Sequence, residues 1–152
     1  MSVSAEDAAR RAEVLSAGLK RAGLRLTRQR LEIVNEIVGS DAHPDVETVY
    51  HRVRERDPGV SLDTVYRTVS TLVEHGLIDR VTSTSGAARY DGNPFPHHHF
   101  VCTRCGAIYD IEGPGALPAS GSPVPPELGD VETVQIEYRG ICTTCRRADA
   151  GR

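Results

Sequence analysis

Up to about residue 93, apolar residues recur with the spacing of helices that turn one face to a core; beyond it they recur in short strand-like runs. In AEDAARRAEVLSAGLKRAG, Leu15, Leu19 and Ala22 fall at i, i+4 and i+7, and Gly23 marks the stop. Thr27 is placed to cap a second helix, RQRLEIVNEIVGS, whose predicted buried face is Leu31, Val34, Ile37 and Val38. After His43-Pro44, DVETVYHRVRERD repeats the pattern through Val46, Val49, Tyr50 and Val53. In GVSLDTVYRTVSTLVEHGLI, Ser61 serves as N-cap, Leu62, Val65, Val69 and Leu72 are spaced for a core face, and Gly76 is the stop. LIDRVTS and AARYDG, joined by TSG, read as a two-stranded hairpin.

Three helices followed by a helix and a hairpin is the layout of a winged helix-turn-helix, in which the last helix enters the major groove. Past residue 93, HFVCTRCGAIYDIE and VETVQIEYRGIC carry strand-forming residues. Between them GPGALPASGSPVPPELG, rich in proline and glycine, predicts mostly loop with at most one short turn. The expected fold class is therefore α+β. A winged-helix domain over 1–92 precedes a small α/β domain over 93–152.

A chain of 152 residues, 39% of them hydrophobic, can bury one fair-sized core or two small ones, which agrees with that division. No apolar run approaches the roughly 20 residues of a membrane span, and MSVSAEDAARRAEVL lacks the apolar centre of a signal peptide. The expected location is cytoplasmic, with no membrane partner. The net charge of -3 gives no hint of nucleic acid, but KRAGLRLTRQR gathers Lys20, Arg21, Arg25, Arg28 and Arg30 without an acid. Such a patch suits a DNA-binding face and equally a solvated helix end; charge alone does not choose.

In a reducing compartment disulfides are rare, and the pairs Cys102/Cys105 and Cys142/Cys145 point to a metal. Each C-x-x-C aims two thiolates at one point, and two pairs complete a closed tetrahedral site that suits structural zinc. The intervening residues, 106–141, exceed the span of a common zinc ribbon, so the ion would staple distant strands. A redox C-x-x-C needs only one pair, and buried free thiols are the other alternative.

The run His97-His98-His99 lies just before the first cysteine pair. On a strand His97 and His99 project to one side and His98 to the other. Two imidazoles with a carboxylate, from Asp91 or Asp110, suit iron, manganese or zinc, so two metals are expected in all. An exposed metal-scavenging tract or a cloning remnant is the alternative, although this run is internal. For DNA contact the candidates are Arg21 and Arg28 in the basic patch, with Ser61, Asp63, Thr64, Tyr66 and Arg67 at the start of the fourth helix.

With these residues in place, the chain resembles the ferric uptake regulator (Fur) family of metal-responsive repressors. The stretches that carry the likeness are LRLTRQRLEIV, HPDVETVY, VSLDTVYRTVSTLVEHGLI, RYDG, HHHFVCTRCG and GICTTC, in family order. The resemblance implies a homodimer that binds palindromic double-stranded DNA, with a winged-helix domain, a hinge and a dimerisation domain built on the four-cysteine zinc. It adds His43, and with it a regulatory Fe(II) or Mn(II) site of His43, Asp91, His97, His99 and Asp110. Aspartate at 110 resembles the peroxide-sensing PerR branch, in which hydrogen peroxide oxidises a ligand histidine; by resemblance that is His43 or His97.

The additional site of the iron-uptake branch would fall on Pro96, His98, Leu117 and Val134, of which only the histidine is a ligand, so that site is expected to be absent. No histidine follows His99, which weakens a nickel- or zinc-sensor reading. The family's helix between the C-terminal strands meets a poor helix former in GPGALPASGSPVPPELG. The reading is thus a peroxide-responsive, metal-dependent repressor with no catalytic residues and no small organic substrate; the alternative is an iron- or other metal-uptake regulator. A non-haem metal enzyme lacks H-E-x-x-H or H-x-E signatures here, and a zinc-ribbon protein-interaction module would leave the basic segment unexplained.

Overall fold

The computed structural model describes residues 3–84, 86–112, 123–132 and 134–150. The chain forms two compact units, Met1–Pro94 and Phe95–Arg152.

The first unit holds helices α1 (Ala5–Arg21), α2 (Arg28–Val38), α3 (Val46–Arg56) and α4 (Leu62–Glu74), then strands β1 (Asp79–Thr82) and β2 (Ala88–Asp91). Each helix begins where a short polar side chain takes an otherwise unmet backbone N–H. Ser4, Thr27, Asp45 and Ser61 accept from Asp7, Arg30, Thr48 and Thr64 respectively. The Thr48 hydrogen bonds hold the Asp45 carboxyl below its ordinary pKa. At the far end of α4, Gly76 takes φ +64, and its N–H and that of Leu77 reach the Val73 and Leu72 carbonyls. This Schellman arrangement needs a left-handed residue, which glycine supplies cheaply.

The core joins Leu15 and Leu19 of α1, Ile33, Val34, Ile37 and Val38 of α2, Val49 and Val53 of α3, and Val65, Val69 and Leu72 of α4. Of the residues on the predicted faces, Val46 and Tyr50 pack against it partly buried, Ala22 is partly exposed outside it, and Leu31 and Leu62 are at the surface, 38% and 44% exposed. Ile33 and Thr68 take those places because the buried arc of each helix is rotated away from the expected residue, which sits at its margin. β1 and β2 form the antiparallel hairpin, with Asp79 opposite Asp91 and Thr82 opposite Ala88.

Gly92, just after β2, allows a close backbone approach. A Cβ there would stand 2.8 Å from Ile37 Cγ2 and 2.9 Å from the Ile37 carbonyl oxygen. Gly92→Ala is expected to destabilise this unit by about 1–3 kcal/mol, because backbone must move to admit the methyl. A lowered urea midpoint with an unchanged slope is the expected reading; an unchanged midpoint would refute it.

The second unit contains β3 (His97–Cys102), β4 (Ile108–Glu112), β5 (Glu137–Gly140) and α5 (Thr143–Ala150). The strands form one sheet ordered β4-β3-β5, antiparallel between β3 and β4 and parallel between β3 and β5. The histidine-bearing strand is therefore central. Of the proline- and glycine-rich segment, residues 113–122 lie outside the described residues, while Pro126–Leu128 form one 3-10 turn. No sequence expectation covered α5. Among the described residues no helix is long and apolar enough to cross a membrane.

Candidate metal centres

All four cysteines fall in the second unit, with their sulfurs within 4.8 Å of one another. Cys102 and Cys105 flank a turn after β3 in which the Gly106 N–H returns to the Cys102 carbonyl at 3.0 Å. Cys142 and Cys145 stand at the entry and within the first turn of α5. The pairs interleave: Cys102 Sγ is 4.0 Å from Cys145 Sγ, and Cys105 Sγ is 3.8 Å from Cys142 Sγ. A disulfide would need about 2.05 Å. Thiolates at about 2.3 Å from a tetrahedral zinc stand about 3.8 Å apart, so the donor set fits that ion.

The backbone prepares two of these sulfurs to be anions. The amide N–H groups of Cys105 and Cys142 are directed at Cys102 and hold its thiol down to about 6, while the Cys145 amide lowers Cys142 in the same way. Cys145 is pushed up to about 12, first by its hydrogen bond with the Cys142 sulfur and then by burial. Cys145 would give up that proton to hold zinc, which binds thiolates.

The histidines lie on β3 as the alternation requires. His97 and His99 share a face, their Nε2 atoms 3.0 Å apart and 3.7 and 3.6 Å from Asp110 Oδ1. Asp110 arrives there because β4 pairs His99 directly with it. On an ion about 2.1 Å from each donor, the 3.0 Å histidine pair would subtend about 90° and the longer distances to Asp110 about 120°, so the three donors can converge on one divalent ion without fixing its coordination number. The His97 ring is oriented by its Nδ1 against the Phe95 carbonyl at 2.7 Å. His98 faces the other side of the strand, where its Nδ1 accepts from the Ile136 N–H at 3.2 Å.

In the first unit, His43 and Asp91 come together, with Nε2 3.9 Å from Asp91 Oδ1 and both side chains buried. His43 takes φ +49, the one non-glycine residue with positive φ among those described. The loop is held in that conformation by β2. The Arg89 guanidinium donates to the carbonyls of His43 and Ala42, and the Tyr90 N–H donates to the Pro44 carbonyl at 3.0 Å. Asp91 is fixed in turn by the Asn93 N–H at 2.8 Å, and the Asp41 carbonyl meets His43 Nδ1 at 3.1 Å. The hairpin thus carries one ligand candidate and clamps the loop of the other. Nothing in sequence spacing announced Arg89.

The proposed DNA-contacting residues are exposed or partly so. Arg21 ends α1 and Arg28 opens α2. On α4, Tyr66 is 58% exposed, and Arg67 pairs with Asp63 at 2.9 Å. Such an exposed i,i+4 pair contributes about 0.3–0.5 kcal/mol and is easily exchanged for another anion. Ser61 and Thr64 are engaged in the cap, where their hydroxyl oxygens lie 2.9 Å apart.

Comparison with known proteins adds independent findings. The model of the ferric uptake regulator family matches residues 21–118. Over 146 residues the chain is 28% identical to the peroxide-responsive repressor PerR of Staphylococcus aureus strain Mu50, a match that covers 96% of this chain and 99% of that protein. The ferric uptake regulator of Pseudomonas aeruginosa, solved with manganese, superposes with a TM-score of 0.69 at 22% identity, covering 84% of this chain and 97% of the other. A zinc uptake regulator solved with zinc and DNA gives a TM-score of 0.57 at 24% identity, covering 92% and 97%. At those identities the structural likeness concerns the fold.

Proposed function

This chain belongs to the ferric uptake regulator family, and from that premise we propose that it is a peroxide-responsive, metal-dependent repressor that binds palindromic DNA as a homodimer in the cytoplasm. As a member of a regulator family it is not an enzyme. The observation that carries the peroxide reading is the trio of His97, His99 and Asp110, two imidazoles and a short carboxylate facing one another on β3 and β4. The full-length likeness to peroxide-responsive repressors supports it. The donor set also accepts manganese and other divalent ions, which keeps regulation of metal uptake as the second reading.

In this reading the four cysteines hold a permanent zinc, and His43 and Asp91 of the first unit join His97, His99 and Asp110 of the second on an exchangeable ion, Fe(II) or Mn(II). A shared ion favours whichever arrangement of the two units lets their ligands converge, and so biases the population of dimer shapes. Only a dimer with its two α4 helices about 34 Å apart matches successive major grooves on one face of a palindrome. On α4, Tyr66 and Arg67 would meet bases or phosphates, and Ser61 and Thr64 would hold the helix start at the backbone. Arg21 and Arg28 would meet phosphates.

Bound ferrous iron supplies the one-electron chemistry that cleaves peroxide. A ring C–H of His43 or His97 would become C–OH at the expense of the peroxide O–O bond, the second oxygen leaving as water, and the altered ring would no longer serve as a ligand. Peroxide treatment of the ferrous form is expected to add about 16 Da to a peptide containing His43 or His97 and nothing to the manganese form, whereas oxidation confined to the cysteines would contradict this reading.

A further inference from the structure

The run His97-His98-His99 presents three Nδ1 atoms, and each meets a different partner: the Phe95 carbonyl at 2.7 Å, the Ile136 N–H at 3.2 Å and the Gln135 side-chain amide at 3.3 Å. In a neutral imidazole one ring nitrogen carries the proton and the other the lone pair, so the partner on Nδ1 decides what Nε2 can do. A carbonyl on Nδ1 draws the proton there and leaves His97 Nε2 a lone pair for a metal. An N–H on Nδ1 does the opposite, which makes His98 an acceptor for the backbone with its proton on Nε2.

The middle histidine therefore acts on the strand beside it. Residue 136 is tied to β3 twice, by its N–H to the His98 ring and by its carbonyl to the His99 N–H at 3.0 Å. These two bonds seat the preceding residue, Gln135, against the His99 ring. Its amide nitrogen is the atom facing Nδ1. A half-turn of the amide brings its oxygen there instead, and only the oxygen can accept the Nδ1 proton that a ligating Nε2 requires.

We propose that Gln135 is a positioning residue of the regulatory site. Its side-chain oxygen takes the Nδ1 proton of His99, fixes the tautomer and rotation of that ring, and strengthens Nε2 as a donor toward the ion, as outer hydrogen bonds do for metal-bound histidines. The proposal rests on the reading of His97, His99 and Asp110 as ligands. Gln135 is exposed and precedes β5, so its replacement removes no core packing.

The test is Mn(II) affinity of the full chain with its zinc in place, compared between wild type, Gln135→Leu, Gln135→Glu and His99→Ala. Leucine is expected to weaken Mn(II) binding by about 10–100-fold, the usual cost of losing such an outer partner. Glutamate, a stronger acceptor for the same proton, should bind at least as tightly as wild type, with zinc content and melting temperature unchanged in both variants. Wild-type affinity in Gln135→Leu, alongside loss of binding in His99→Ala, would overturn the role of Gln135 and leave the ligands standing. A glutamate variant as weak as the leucine one would overturn the tautomer argument. A wild-type chain that binds no manganese would overturn both.

Discussion

Cys102→Ser is expected to release the zinc and unfold the unit of residues 95–152. Among the described residues of that unit, the buried apolar side chains are Val101, Ile108, Cys102 and Cys142, two of them zinc ligands. A domain of this size with so small a core needs another source of stability. Closed zinc sites provide it, with apparent binding free energies of about 10–16 kcal/mol near neutral pH that serve as folding free energy. Serine removes a thiolate that lies 4.0 Å from Cys145 and accepts the Cys142 N–H at 3.3 Å, so both pairs lose their partner. The measurements are zinc content and circular dichroism, with gel filtration reporting the dimer. A folded, dimeric variant without zinc would contradict the assignment.

His43→Ala is expected to have the second largest effect, with the opposite distribution. Regulatory-metal affinity should fall further than the roughly 10–100-fold typical of outer-partner losses, because His43 is proposed as a direct ligand, while the cysteine zinc stays. Alanine also carries a separate backbone cost at φ +49, since histidine and asparagine adopt the left-handed region more readily than alanine does. His43→Asn separates the two effects, because asparagine tolerates the left-handed region. Both variants should lose Mn(II) binding, and only the alanine variant should also lower the melting temperature of the helical unit. Metal affinity equal to wild type in the asparagine variant would remove His43 from the site.

Much of the helical unit was legible because amphipathic period and cap residues agree. Thr27 and Ser61 cap the helices they were expected to cap, and Gly76 ends α4. The errors lie at the margins of helical faces, where Leu31 and Leu62 sit beside the buried arc and period alone does not decide. The cysteine site was legible from spacing, since two C-x-x-C pairs are chemically explicit. α5 was not, as TTCRRADA has no apolar stripe to announce it. His97 and His99 followed from strand alternation, whereas His43 came only from resemblance, its loop being brought to Asp91 by Arg89 and the hairpin register. Gln135 was silent because its role depends on a parallel strand pairing, and nothing in the local sequence encodes which strand β5 joins.

The central claim is that an exchangeable metal ion controls DNA binding. Its most direct measurement is the affinity of the zinc-loaded chain for a palindromic operator of the family type, taken with Mn(II), after chelation of the exchangeable metal, and with Fe(II) before and after hydrogen peroxide. Binding that appears with either metal, disappears on chelation and is lost to peroxide only in the ferrous form is the predicted result. Operator binding that is the same with and without the exchangeable metal would contradict it.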